Sequence, residues 1–132
     1  VIVETSAFVA ILGKEPLADR LVSAIRSAGE EAIMSAASYV EACIVVDSQG
    51  KPVLSERVDT LLNELGVTIA PITVAHARHA RHAYRLFGKG SGHKASLNFG
   101  DCFAYALAKE TGERILFVGD DFGHTDLFPM PY

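Results

Sequence analysis

Residues 97–108 read LNFGDCFAYALA, and the rest of the chain is organised around this stretch. Asn98 and Gly100 are turn formers, and Asp101 stands where an apolar helical pattern opens. Cys102, Phe103, Ala106 and Leu107 then recur at helical spacing as far as Gly112, a natural C-cap. The pattern predicts a mostly buried helix with one carboxylate in its first turn. An aspartate there has an ordinary structural use, since it caps free N–H groups and suits the positive end of the helix dipole. Its weight changes because Glu4, Glu41 and the Asp120–Asp121 pair fall where a single fold could gather them with it.

Outward from that helix, strands alternate with helices. Val1–Val3 is a short β-branched run ended by Glu4, followed by a short helical face from Ala7 to Leu12. A second helix is expected from Pro16, a good first-turn residue, to about Ala28, and a second strand over Ala32–Met34. Ser35–Asp47 reads as helix, its apolar positions Tyr39, Val40, Cys43, Ile44 and Val46 surrounding Glu41. Val53–Leu65 is a further helix, Val67–Ala70 a third strand, and Thr73–Phe87 a basic helix with Val74, Ala77, Ala80, Ala83, Tyr84 and Phe87 inward. A glycine-rich loop, Gly88–Gly92, leads to the Asp101 helix, and Ile115–Val118 is a fourth strand ended by Asp120 and Asp121. The alternation means an α/β sandwich with a mostly parallel sheet, residues 1–132 forming a single domain.

The 132 residues, 49% apolar and 21% charged, describe an ordinary globular domain and exclude a disordered chain. No apolar run approaches the ~18–20 residues of a membrane span. The opening VIVETSAFVAIL meets Glu4 after three residues and lacks a basic start, so it makes a poor signal peptide. Cys43 and Cys102 lie in apolar helical patterns and read as free thiols, which fits a cytoplasmic location. The net charge of −4 hides a segregation: between Gly66 and Gly100 there is no acid, but Arg78, Arg81, Arg85, Lys89 and Lys94 with four of the five histidines. That polarity suits a nucleic-acid partner. His76, His79 and His82 are expected beside the arginines on the polar face of their helix, as RNA-facing surface rather than a zinc site, and His93 is a candidate phosphate contact.

In an open parallel sheet, functional residues gather beyond the carboxyl ends of the strands. Glu4 lies just past the first strand, the Asp120–Asp121 pair past the last, and Asp101 at a helix start that faces the same edge. Converging carboxylates repel unless a cation holds them, and hard oxygen donors suit Mg²⁺ or Mn²⁺ rather than Zn²⁺. Glu4 is an unusual residue to bury without a role. Glu41 stays open between a ligand and a solvated helix face. Among Asp120, Asp121 and Asp126, all able to form turns, one site role is expected. Thr5, Ser6 and Thr125 are caps or turn hydroxyls, with hydrogen bonding to the acids as the sharper alternative.

VIVETSAFVAIL, SAASYVEACIV, FGKGSGHKASLNFGDCFAYALA and ILFVGDDFGHTD together resemble, in order and spacing, the PIN-domain toxins of VapBC toxin–antitoxin modules. The resemblance implies a three-layer α/β/α sandwich and a Mg²⁺- or Mn²⁺-dependent endoribonuclease. It also implies a homodimer, and a VapB-type antitoxin that occupies the groove and through which operator DNA is reached. By it, Glu4, Glu41 and Asp101 fall on the first three catalytic, metal-holding acids, and Asp121 is chosen as the fourth, with Asp120 and Asp126 in reserve. Ser6 falls on the hydroxyl that supports the first acid. Arg78, Arg81, Arg85, Lys89, His93 and Lys94 would guide the RNA. The chain departs from the family at Glu4, where Asp is preferred, and the extra methylene moves the carboxylate by up to ~1.5 Å. The rival expectation is therefore a PIN-fold binding module, disabled at Glu4, that acts through antitoxin and operator DNA.

Overall fold

The computed structural model describes residues 1–132. In chain order the elements are β1 (Ile2–Val3), α1 (Thr5–Leu12), α2 (Ala18–Ser27), β2 (Ala32–Ser35), α3 (Ala36–Asp47), α4 (Pro52–Leu65), β3 (Val67–Ala70), α5 (Val74–Phe87), α6 (Asp101–Thr111) and β4 (Ile115–Leu116), with a 3₁₀ turn at Asp121–His124. The sheet is wholly parallel, in the order β3-β2-β1-β4. Side-chain alternation divides the core in two. Val1, Val3, Ala32, Met34 and Leu116 face one layer with α1, α2 and α4, while Ile2, Ile115 and Phe117 face the other with α5 and α6. These are the layers of an α/β/α sandwich.

Helix α6 lies at the centre of the second layer. Ala104, Ala106 and Ala108 let its backbone approach closely, while Tyr105 and Leu107 fill the space beside them, all buried. Gly112 ends it in the left-handed conformation, φ 72°, which only glycine adopts cheaply. The exposed edge of β4 is closed by the tail: Ile115 N–H donates to the Phe128 carbonyl (2.9 Å) and accepts at its own carbonyl from Met130 N–H (2.8 Å). Pro129, lacking an N–H, ends further pairing on that side. No helix is long and apolar enough to cross a membrane.

Three local expectations change. Pro16 and Leu17 form a turn before α2, with Ala18 N–H on the Glu15 carbonyl (2.9 Å), so the helix starts later than its proline suggests. Strand β4 stops at Leu116 because the Val118 N–H is taken by a side chain, Ser6 Oγ (2.9 Å), rather than by the ladder. On α5 the inner row is His76, Ala80 and Ala83 with half-buried Phe87, whereas Val74 and Tyr84 are exposed. His76 is thus not on the polar face. Its N–H donates to Thr73 Oγ1 (3.1 Å), its Nδ1 accepts from Thr73 N–H (3.4 Å), and its Nε2 meets the Glu110 carboxylate on α6. Capping the helix and tying it to α6 outweigh exposure of the ring.

Candidate active site

Strand order reverses between β1 and β4: β2 and β3 extend the sheet one way from β1, and β4 returns on its other flank. At such a switch point the connections leave in opposite directions and open a crevice beyond the strand ends. Here the crevice is a pocket of about 480 Å³ lined by Glu4, Glu41, Asp101 and Asp121, together with Glu15, Ser6 and Asn98.

Each acid is positioned by a different device. Glu4 follows β1 and caps α1, its Oε2 accepting from Ser6 N–H (2.7 Å) and from the Ser6 hydroxyl. Ser6 Oγ in turn accepts from Val118 N–H, so one hydroxyl ties the first acid to the end of β4. The longer glutamate side chain thus folds back onto its own helix start and stays in the pocket. Asp101 is held by a reciprocal turn: its Oδ2 accepts from Asn98 N–H (2.8 Å), and Asn98 Oδ1 accepts from Asp101 N–H (2.9 Å). This is the logic of a capping box with Asn98 as the cap. One carboxylate oxygen serves the fold and the other is free for chemistry. Glu41 comes from α3 and reaches over Gly100, where an added Cβ would lie 2.7 Å from its carboxyl carbon. Asp121 opens the 3₁₀ turn after β4 and is exposed.

Burial raises the Glu4 pKa to about 7 against the Ser6 hydrogen bonds, and the Asp101 and Glu41 charges add to the rise. Asp101 is pushed up to about 6, mainly by burial and further by Glu41 and Asp121, against the Asn98 N–H. In the metal-free geometry no three acidic, His or Cys side chains are close enough together to hold an ion as they stand. The donor set nonetheless fits a hard divalent cation: every side chain that could ligate in this pocket offers oxygen, and two of them are charged groups buried without a cationic partner.

A stability consequence follows. Both folded-state pKa values lie above the unfolded ones, so the folded protein binds more protons between pH ~4 and ~7. The contribution of these groups is fully present below about pH 4 and is lost as pH rises through 6 to 7. Metal-free protein is expected to lose on the order of 6 kcal/mol from the two groups together across that window. Thermal melts in chelator should show it, with a smaller loss in Glu4→Gln. Glu113 and Asp126, whose partners hold their pKa values low, act in the opposite sense below that window.

Other expected site residues lie elsewhere. Asp126 accepts from Tyr105 OH (2.7 Å) and Lys109 Nζ (3.0 Å), binding the turn to α6 away from the pocket. Asp120 is exposed outside the pocket lining, and its carbonyl closes the turn on Gly123 N–H. Thr125 Oγ1 donates to the Phe122 carbonyl and meets no acid, while Thr5 Oγ1 donates to the Ser38 carbonyl in the pocket wall. Arg78, Arg81 and Arg85 project from the exposed side of α5, with Lys89 and Lys94 on the loop after it, none lining the acidic pocket. His93 packs edge-on against Phe87 and its Nδ1 accepts from Ala95 N–H (3.1 Å), so its first duty is to shape that loop. Two lining residues escape sequence reading. Asn98 is legible only as a turn former, and Glu15 enters through a left-handed residue, Lys14 (φ 53°), that nothing in GKEP announces.

The chain belongs to the PIN-domain family, whose model matches residues 1–127. Within it, the chain falls among the VapC ribonucleases. Ribonuclease VapC28 of Mycobacterium tuberculosis is 50% identical over 124 residues, covering 94% of this chain and 92% of the relative. Ribonuclease VapC42 of the same species is 46% identical over 128 residues, 97% of each. Among solved structures, M. tuberculosis VapC20, described as a sarcin–ricin loop cleaving toxin, superposes with a TM-score of 0.75 at 12% identity, covering 96% of this chain and 95% of that one. A toxin–antitoxin complex from Klebsiella pneumoniae gives 0.74 at 13% identity, covering 100% and 98%. At such identities the structural likeness speaks for the fold alone.

Proposed function

We propose that this chain is a divalent-metal-dependent endoribonuclease and the toxin of a toxin–antitoxin pair, with Glu4, Glu41, Asp101 and Asp121 as its metal-holding acids. The observation that carries the reading is the meeting of Glu4, Glu41 and Asp101, from three separate segments, in one pocket where burial, with the neighbouring acidic charges adding, raises the pKa values of Glu4 and Asp101. Bound there, Mg²⁺ or Mn²⁺ would supply a nucleophile from water at neutral pH and offset charge on the leaving oxygen. Glu4 and Asp101, each fixed by hydrogen bonds, hold their oxygens in place before metal arrives; exposed Asp121 has room to adjust. Ser6 keeps the Glu4 carboxylate turned to the pocket by donating to it while accepting from Val118. Arg78, Arg81, Arg85, Lys89 and Lys94 attract the RNA backbone and make binding salt-sensitive. No observation favours a non-catalytic module, because Glu4 remains in the pocket.

The partners follow from the same surface. A groove of about 680 Å³ runs beside the acids between α3 and the Phe99–Phe103 turn, walled by Val40, Ile44 and Ile72. Its apolar walls and the acid at its end, Glu41, suit a VapB-type antitoxin segment with a basic side chain. A homodimer, and operator DNA contact through the antitoxin, complete the proposal, with a cytoplasmic location. The test uses purified, antitoxin-free protein and structured RNAs. Cleavage is expected with Mg²⁺ or Mn²⁺ and is expected to stop in chelator; cleavage undiminished by chelator would remove the metal from the reading.

A further inference from the structure

Phe99 is the most exposed of the large apolar side chains, 77% accessible, although it stands between Asn98 and Gly100 at the mouth of the acidic pocket. It is not loose: Phe103, one helical turn on, meets it edge to face at 5.0 Å and 80°, fixing the ring's direction. Behind the pair lies a second hollow, of about 210 Å³, floored by Ala77, Ala80 and Cys102 and walled by Tyr84, with Arg81 beside them. Its polar groups are mostly engaged, since the Tyr84 hydroxyl donates to the Lys89 carbonyl and the Cys102 thiol to the Asn98 carbonyl.

From this geometry we infer that the slot between α5 and the Phe99–Phe103 pair receives one unpaired nucleobase of the RNA, stacked on Phe99, with the Arg81 guanidinium on the adjoining phosphate. The inference rests on the nuclease reading for the identity of the ligand. Three features favour a base over a protein segment. The hollow is too small for a helix, which is 10–12 Å across with its side chains. Its walls come largely from the stretch between Gly66 and Gly100, which carries no acid and five Lys and Arg residues, so its charge complements a polyanion. And Phe99 lies two residues from Asp101, at most ~7 Å of chain, so a strand held there is within reach of the acidic pocket. With its hydrogen-bonding groups occupied, the slot reads a π-face rather than a base edge. It therefore accepts any base and adds affinity and register instead of a sequence code.

The test is binding of labelled single-stranded RNA, followed by anisotropy in chelator so that no strand is cut. Wild-type protein is expected to bind intact RNA about 5- to 150-fold tighter than a strand of the same length made abasic throughout, the range that one stacked base supplies. Phe99→Ala should lose that factor on intact RNA and lose nothing further on abasic RNA, while Phe99→Trp should keep it. Arg81→Gln should weaken both RNAs alike and flatten the salt dependence. Equal binding of intact and abasic RNA by the wild type, alongside metal-dependent cleavage, would overturn the slot and leave the nuclease standing. Absence of both binding and cleavage would overturn both. If Phe99→Ala binds RNA normally but changes the sedimenting species, the slot is a protein contact and the inference falls.

Discussion

Asp101→Asn is expected to abolish RNA cleavage while the protein keeps its fold and, without metal, melts at a higher temperature. The asparagine is the same shape and its amide oxygen can still accept the Asn98 N–H, so the turn that starts α6 survives. What disappears is a negative charge buried beside Glu4, Glu41 and Asp121. Losing a residue that merely supports a metal ligand costs ~10–100-fold in affinity or activity, and losing a ligand costs more, so the expected drop exceeds ~10²-fold. The stability change has the opposite sign. Because Asp101 ionises in the folded protein only near pH 6, at pH 8 the wild type carries a charge its surroundings disfavour. Removing it should stabilise metal-free protein by on the order of 1–3 kcal/mol. At pH 5, where the folded wild type is largely protonated there, the gain should shrink. Saturating Mg²⁺ should reverse the order, stabilising the wild type and not the variant. Retained cleavage in Asp101→Asn, or a variant less stable at pH 8 in chelator, would leave Asp101 as a cap and nothing more.

The parts legible from sequence are those where one residue type has a single physical use. Residues 101–111 read as a buried helix because Cys102, Phe103, Ala106 and Leu107 recur at helical spacing between a turn and a C-cap glycine, and α6 spans Asp101–Thr111. Val67–Ala70 is a strand with the expected bounds. Glu4 stands out because a carboxylate directly after a buried strand is costly to desolvate unless it has a partner or a task. Legibility fails where small residues leave the periodicity undecided. On α5, alanine occurs on both the inner and outer rows, so apolarity alone puts Val74, Ala77 and Tyr84 inside, yet capping by Thr73 and the Glu110 contact turn His76 inward. On α3 the same happens: Ser38 and Ala42 are buried against the core because they are small, while Val40 and Ile44 face out along the groove. The acids' shared pocket depends on which strands neighbour β1. The strand order sets that, and residue spacing along the chain does not encode it.

Gly100 shows how a residue with no chemistry of its own can control the site. Its backbone is ordinary right-handed helix (φ −64°, ψ −42°), so alanine would meet no strain there and by propensity alone would stabilise the start of α6 by up to ~1 kcal/mol. The obstacle is the Glu41 carboxylate, which occupies the volume a Cβ needs. A carboxylate at the end of a flexible side chain yields more easily than backbone, so the expected outcome of Gly100→Ala is a displaced Glu41 in an intact protein. Thermal stability should be unchanged or slightly raised. Divalent-cation affinity and cleavage should fall by about 10²-fold, comparable to losing a group that orients the site. The decisive measurement is a double-mutant cycle with Glu41→Ala. If glycine acts by making room for Glu41, adding Gly100→Ala to Glu41→Ala should cost nothing further, a coupling of the size of the single effect. Additive losses would show instead that the new methyl disturbs Asn98, Phe99 or the Asp101 turn, and Glu41 would lose its claim to a place at the metal.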